Sequence, residues 1–308
     1  MTKRHTVTIG IPAHNEEANI GFLINDLLQQ DLGEFALERI IVASDGSTDN
    51  TVNVVYSIKN SKIVLIDGRE NLGKAFRLNE VISRTNSDVL VLLDADISIP
   101  DKSFIKKLVE PIFDDQIDLT SSAIKELEAT SYFEKVLLLS MKLKTKLFRE
   151  FKAGNNVYNC HGPARAFSKN MYKQFRFIKS EGEDMYSYLV CTKLGMKFKY
   201  VASAKVYYKL PTTPTDHYKQ SLRYLNSIED CRKIFGEEFV NKEFKIPVIT
   251  GIKAALKSMP LIFTNILPFV FYLITYGFSN LFLAMKVKAK DTWKVATSKK
   301  IMRNGAVK

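Results

Sequence analysis

The chain has 308 residues, enough for one large α/β domain with an appendage or for two small domains. Its composition is 46% hydrophobic and 25% charged, with 14 Gly and 9 Pro, which excludes a disordered or repeat-built chain. The formal net charge of +12 points to phosphate-bearing partners, and Cys160, Cys191 and Cys231 have spacings that suit neither a zinc site nor a disulfide framework, which points to a reducing compartment.

The polar start, Met1–His5, leads straight into a strand and predicts no signal peptide. Short apolar runs predict strands at Val7–Ile11, Arg39–Ser44, Ile63–Asp67 and Val89–Asp94. None alternates cleanly, as expected of strands buried on both faces. Between them, helical patterns fall near Glu16–Gln30, Asp49–Lys59, Gly73–Arg84 and Asp101–Phe113. This β-α-β-α order implies a parallel sheet with right-handed crossovers. Polar clusters follow the strands at Pro12–Glu17, Asp45–Thr51 and Asp94–Asp96. In such sheets ligands bind at the carboxyl edge. Asp49 and Asp101 read as helix caps, but capping does not account for three acidic clusters at one edge.

Further on, Phe133, Val136, Leu137, Leu143, Leu147, Phe148 and Phe151 recur at helical spacing over 131–151. The opposite face carries Lys135, Lys142, Lys144, Lys146 and Arg149, which suits ordinary packing or a membrane surface. Glu181-Gly182-Glu183-Asp184 precedes an apolar helix at Met185–Leu194. A carboxylate at a helix N-terminus is stabilised as the anion, ready to take a proton. From Ser258 to Met285 there are 28 consecutive uncharged residues. A helix of that length reaches roughly 40 Å, more than the ~30 Å hydrocarbon core. The tail Lys286–Lys308 holds eight Lys/Arg and one Asp, a placement that favours anionic lipid over nucleic acid. A single crossing would put that tail on the wrong side. With Pro260 and Pro268 as breaks, a hairpin or two interface-lying helices over 246–285 is the expectation.

Three features carry chemistry. Asp94-Ala95-Asp96 ends a wholly apolar strand. Two carboxylates there are costly unless a cation joins them, and carboxylates suit Mg²⁺ or Mn²⁺, which can bridge phosphates. Glu70-Asn71-Leu72-Gly73-Lys74 opens a helix whose N–H groups and lysine suit a phosphate. Asp45, at a strand end, can accept from a base N–H, while Ser47, Thr48 and Asp49 read as capping chemistry.

Taken in order, Pro12-Ala13-His14-Asn15-Glu16-Glu17, Ser44–Thr51, Asn71-Leu72-Gly73-Lys74 and Asp94-Ala95-Asp96 resemble the family-2 inverting glycosyltransferases of the GT-A fold, over roughly residues 5–235. The resemblance implies that Pro12, Ala13 and Glu16 line a nucleoside pocket and that Asp45 reads the base, with uridine the default. It implies that Lys74 helps hold the nucleotide, that Asp94 and Asp96 bind nucleotide and metal, and that Asp184 is the general base. Gln220-Ser221-Leu222-Arg223-Tyr224 resembles the Gln-x-x-Arg-Trp segment of membrane-bound synthases for hyaluronan, cellulose, chitin and glucosylceramide, with Tyr224 in place of Trp. Gln220, Arg223 and Tyr224 are thereby implied at the donor, Arg223 as a diphosphate clamp. His161, Gly162 and Glu183 fall where such enzymes hold the acceptor. Trp293–Lys300 looks like the tail that follows the apolar helices in some of them.

The expectation is an α/β, mostly parallel GT-A fold with a catalytic domain over 1–235, divided into a nucleotide-binding half (1–96) and an acceptor half (97–235). Apolar membrane-associated helices follow over 236–290 and a basic tail over 291–308. The expected function is sugar transfer from a nucleoside-diphosphate donor to a lipid, lipid-linked or polysaccharide hydroxyl, by a membrane-associated protein whose catalytic domain is cytoplasmic. A nucleotidyltransferase would want a Gly-rich first loop, and Pro12–Glu17 has no glycine. A non-catalytic protein bound to anionic membrane surfaces would not need the four carboxylate and arginine positions Asp94, Asp96, Asp184 and Arg223. No nucleic-acid module motif is present.

Overall fold

The computed structural model describes residues 4–179 and 182–273. Glu181 of the acidic motif, the apolar run from residue 274 onward and the basic tail with Trp293–Lys300 lie outside the described residues.

The first part of the chain runs β1 (Thr6–Ala13), α1 (Ile20–Leu28), β2 (Ala36–Asp45), α2 (Thr51–Ser57), β3 (Ile63–Gly68), α3 (Lys74–Ser83), β4 (Val89–Leu93). It continues with α4 (Phe104–Asp114), β5 (Leu119–Glu126), α5 (Tyr132–Glu150), β6 (Ala164–Ser168), α6 (Lys169–Gln174), α7 (Glu183–Lys193) and β7 (Phe198–Tyr208). Three helices follow: α8 (Pro214–Phe235), α9 (Glu237–Phe244) and α10 (Val248–Phe263). The seven strands of the described residues form one sheet in the order β3-β2-β1-β4-β6-β5-β7.

The strands are apolar on both faces because both faces are covered. Val7, Ile9 and Ile11 of β1 and Val91 and Leu93 of β4 pack under Leu23, Ile24 and Leu27 of α1 and Phe104, Ile105 and Leu108 of α4. On the other face Ile41, Leu90, Leu92 and Phe167 meet Leu78, Val81 and Ile82 of α3 and Leu189 of α7. Losing one fully enclosed leucine from such a layer costs about 2–5 kcal/mol.

The sheet is not wholly parallel. β1, β2, β3 and β4 are parallel as the β-α order demands, and β5 runs parallel to β7, but β6 is antiparallel to both β4 and β5. The polar content of Thr120, Ser121, Ser122 and Arg165 hides β5 and β6 from a search for apolar runs, although all four residues are buried. The antiparallel insertion matters for function, because it brings the loop before β6 beside the end of β4: the Asp94 N–H donates to Pro163 O at 3.0 Å.

α5 opens with a capping box in which Ser131 and Glu134 satisfy each other's backbone N–H. α10 lies against α5, where Lys146 donates to Lys257 O at 2.8 Å and Lys257 pairs with Glu150 at 2.5 Å. Pro260 is accommodated inside α10 rather than ending it. The break comes at Thr264–Asn265, after which helix resumes over 266–273.

Candidate active site

The loops after β1 and β2 are joined to each other. Pro12 and Ala13 sit at the end of β1, paired with Ala43 and Ser44. Asn15 takes a left-handed backbone (φ 56°), and its side-chain oxygen accepts from Thr48 N–H at 2.8 Å. Asp49 and Asp101 do not take the N-cap positions expected of them: the N-caps of α2 and α4 are Asn50 and Ser103, and the two aspartates accept from Thr51 N–H and Ser103 N–H, each at 3.0 Å, in turns that precede the helices. Glu16 is 4% exposed and turns inward, accepting from Asn19 Nδ2 at 2.8 Å. Asp45 is fully enclosed, and its carboxylate accepts from Leu72 N–H and Gly73 N–H at 2.9 Å each and from Arg77 Nε at 2.8 Å. In this structure, then, Glu16 and Asp45 brace the rim rather than present free carboxylates to a ligand. Gly46 permits the close approach: a Cβ there would lie 2.8 Å from Asn71 N.

Gly73 has φ 96°, a backbone that suits glycine, and it starts α3 so that Lys74 lies in the first turn. From there Lys74 Nζ reaches across the rim to Asp94 Oδ1 at 2.6 Å and to Glu183 Oε1. Burial works against its charge, but Asp94 and Glu183 hold the ammonium above the ordinary lysine range. Lys74 therefore ties the end of β4 to the start of α7. Ala95 is buried and Asp96 half-buried just beyond.

The loop before β6 meets these carboxylates at Gly162. A Cβ built there would lie 3.7 Å from Asp184 Oδ2, 3.7 Å from Glu183 Oε1 and 3.8 Å from Asp94 Oδ2. Asp94 and the adjacent pair Glu183 and Asp184, far apart in the chain, thus face one small volume. Asp184 accepts from its neighbour Met185 N–H at 2.8 Å. A helix N-terminus was expected to favour its anion. Burial wins instead, with Glu183 beside it, and the carboxyl is pushed above the ordinary Asp range while Arg165, the Met185 N–H and Lys74 pull the other way. His161 N–H donates to Ser121 Oγ at 2.7 Å and its ring meets Tyr200 edge-on, with centroids 6.1 Å apart. Burial lowers the imidazole to about 4, so it is neutral at neutral pH.

Gln220, Arg223 and Tyr224 share α8. That helix abuts the start of α7 closely enough that a Cβ on Gly182 would lie 2.5 Å from Ser227 Cβ, and Ser227 Oγ donates to Arg223 O. Tyr224 is 44% exposed, and its phenol feels the charge of Asp184. Two arginines complete the neighbourhood without any motif to announce them. Arg77, one turn after Lys74 in α3, braces Asp45, and Arg165 of β6 lies under α7.

Among the described residues no group of three or more His, Cys, Asp or Glu gathers to cage a cation. Asp94 and Asp96 alone suit Mg²⁺ or Mn²⁺ shared with a diphosphate, since such ions take one or two carboxylates and complete their shell from substrate phosphates and water.

Residues 8–176, more than half the chain, match the family described as Glycosyl transferase family 2. The chain belongs to that family. Among curated relatives, the poly-β-1,6-N-acetyl-D-glucosamine synthase of Staphylococcus aureus is 34% identical over 91 residues, 29% of this chain and 21% of the synthase. The 4,4'-diaponeurosporenoate glycosyltransferase of S. aureus is 29% identical over 106 residues, 34% of this chain and 27% of that protein. The chain thus spans about a fifth to a quarter of those relatives' length. Among solved structures, the mannosyltransferase PcManGT of Pyrobaculum calidifontis, in complex with GDP-Man and Mn²⁺, superposes with a TM-score of 0.57 at 16% identity, covering 94% of this chain and 77% of that one. S. aureus TarS 1-349, in complex with UDP, gives 0.54 at 19% identity, covering 83% and 77%. At those identities the likeness carries the fold, which is the mixed, mostly parallel GT-A sheet.

Proposed function

We propose that this family-2 member is an inverting glycosyltransferase that moves a sugar from a nucleoside-diphosphate donor, with UDP the first candidate, to a hydroxyl of a lipid, lipid-linked or polysaccharide acceptor. The observation that carries the reading is the convergence of Asp94, Glu183 and Asp184 on the space above Gly162, with Lys74 between them.

In this reading the nucleoside rests on the Pro12–Ala13 end of β1. Asp45, Glu16 and Arg77 shape its pocket by fixing the loops around it. Asp94 and Asp96 would hold Mg²⁺ or Mn²⁺, which when bound would supply Lewis-acid stabilisation of the departing diphosphate. Lys74 brings a second cation to the same oxygens, and Arg223, with Gln220 and Tyr224 on α8, closes the donor side. The acceptor hydroxyl enters above Gly162, beside neutral His161. Asp184 takes its proton as the oxygen attacks the anomeric carbon. A carboxyl raised above its usual range is a better match to that task near neutral pH than an ordinary one. One displacement inverts the configuration, and no sugar–enzyme bond forms.

The polysaccharide and the diaponeurosporenoate named for the S. aureus relatives support a polymer or lipid acceptor. A membrane location is supported by α10. Within Glu237–Phe263 the most apolar 18-residue window has mean hydropathy 1.4, with 11% of that window buried. Val248, Ile252, Leu256, Met259 and Phe263 are spaced three or four apart and exposed, while the small Ala254 and Ser258 face inward. A large apolar stripe turned outward fits a helix lying in the bilayer interface, with the catalytic domain on the cytoplasmic side.

Donor hydrolysis screened across UDP-, GDP- and dTDP-sugars in detergent, alongside calorimetry with UDP, tests the reading. It predicts hydrolysis of a UDP-sugar and UDP binding strengthened by Mn²⁺. Absence of binding to any nucleoside diphosphate, with or without Mn²⁺, would overturn it.

A further inference from the structure

Arg165 has no place in the scheme above, yet it is the largest fully buried side chain in the protein's described residues, at 1% exposure. It sits in β6 opposite Leu92 of β4 and shares its sheet face with Phe167. An apolar residue would complete that layer. A guanidinium placed there stays charged and must be desolvated, a cost that a methionine of similar length avoids. Among the described residues no carboxylate lies within ion-pair distance of it, and its Nε has no hydrogen-bond partner. Phe167 and Phe177 flank the guanidinium, each ring centroid 5.8 Å away.

What Arg165 does contact is the first turn of α7. Nη1 donates to Glu183 O at 2.7 Å and to Ser187 Oγ at 2.5 Å. Ser187 Oγ in turn donates to Glu183 O at 2.5 Å. The three atoms close a triangle around the peptide that joins Glu183 to Asp184. At the next carbonyl, Cys160 Sγ donates to Asp184 O at 3.4 Å. Side-chain capping is absent at the start of this helix, where Gly182 occupies the N-cap position without a side chain to offer. The turn that carries both rim carboxylates is therefore held from below, by the sheet.

We propose that Arg165 is a positioning residue: its buried guanidinium clamps the first turn of α7 to β6 and so sets Glu183 and Asp184 against Asp94 and Lys74. The inference rests on the Asp184 reading given above for its catalytic consequence, but the clamp itself is a property of the fold. A charge at this depth also acts on Asp184 in the sense opposite to burial, favouring its anion. Lys74 from α3 acts in the same sense, while Glu183 opposes it.

The test uses the full chain in detergent with Arg165→Met, Arg165→Lys and Ser187→Ala. Amide hydrogen exchange over residues 183–187 is read against the second half of α7, and donor KM and kcat are measured in parallel. The clamp predicts at least tenfold faster exchange in the first turn for Arg165→Met, with the second half of the helix unchanged. It predicts a kcat loss of roughly 100-fold with donor KM within about threefold of wild type, the pattern of a misplaced base rather than a damaged donor site. Arg165→Lys recovers part of kcat, because one N–H can still reach Glu183 O, and Ser187→Ala gives a smaller loss of the same pattern. Unchanged first-turn exchange in Arg165→Met overturns the proposal, as does wild-type kcat in both arginine variants. Should Arg165→Met not fold, Arg165→Lys decides: wild-type exchange and kcat in that variant overturn it. A wild-type protein without transferase activity would sink the Asp184 reading and leave the exchange result to judge the clamp.

Discussion

Gly162 shows how much a single missing side chain can matter. Its hypothetical Cβ would stand at ordinary contact distance, 3.7–3.8 Å, from three carboxylate oxygens. Gly162→Ala therefore leaves the fold intact but fills the space assigned to the acceptor oxygen. The expected outcome is a melting temperature close to wild type with transfer reduced at least tenfold, measured by product formation at saturating donor. Arg77 should behave in the opposite way. It and Asp45 are 4% and 0% exposed, and removal of one partner of such a pair costs about 3–5 kcal/mol. Arg77→Met is expected to show that loss in denaturant unfolding, because the enclosed Asp45 would lose its cation. At this scale the sequence was legible where chemistry is concentrated in short polar runs, as at Asp94-Ala95-Asp96 and Glu183-Asp184. It was not legible where one polar residue is hidden among apolar ones. Arg165 lies between Ala164 and Ala166, and only the register of β6 against β4 reveals that it points beneath α7.

Among the elements, the first four strands and the helices between them could be read from apolar runs and periodicity, because β1, β4 and the second half of β2 are buried and the edge strand β3 keeps a partly buried apolar run. Boundaries moved where side chains bend the chain: α1 starts at Ile20 rather than near Glu16, since Glu16 O receives Asn19 N–H and Ile20 N–H in a preceding turn. β5 and β6 escaped notice because their burial is polar, and β6 because an antiparallel strand breaks the β-α rhythm. α10 was legible as apolar, but its partner was not. α5 supplies it through Lys146 and Glu150, so part of the basic face seen in the sequence of α5 grips a neighbouring helix. The outward stripe of α10 is the part left for a membrane. Leu256, 66% exposed, and Ile252, 51% exposed, can both become Glu without disturbing the core. Ile252→Glu/Leu256→Glu is expected to lower co-sedimentation with vesicles containing anionic lipid several-fold, while UDP binding in detergent is unchanged. Equal sedimentation of variant and wild type would contradict an interface-lying α10.

Across the whole molecule, one sheet carries Asp94 at the end of β4 and, through Arg165 of β6, the first turn of α7 with Glu183 and Asp184. The loop before β6 contributes a pH dependence to stability. His161 titrates near 4 when folded and near its ordinary 6.5 when unfolded. Between those values the unfolded chain binds more protons, so His161 stabilises the fold fully above 6.5 and progressively less as pH falls toward 4. His217, also lowered by burial and then by Lys144, acts in the same sense. Asp184 and Glu126, raised by burial, act in the opposite sense, so the informative quantity is the difference between wild type and His161→Gln. Unfolding midpoints measured between pH 7 and pH 4.5 are expected to fall less steeply in the variant.

The stereochemistry of the first turnover bears most directly on the account. With an α-linked UDP-sugar and a stoichiometric amount of enzyme, the proton NMR of the product before any second cycle reports the configuration at the anomeric carbon. A β-linked product, lost in Asp184→Asn while UDP still binds, is what a single attack by a hydroxyl deprotonated at Asp184 predicts. An α-linked product, or undiminished transfer by Asp184→Asn, would contradict it.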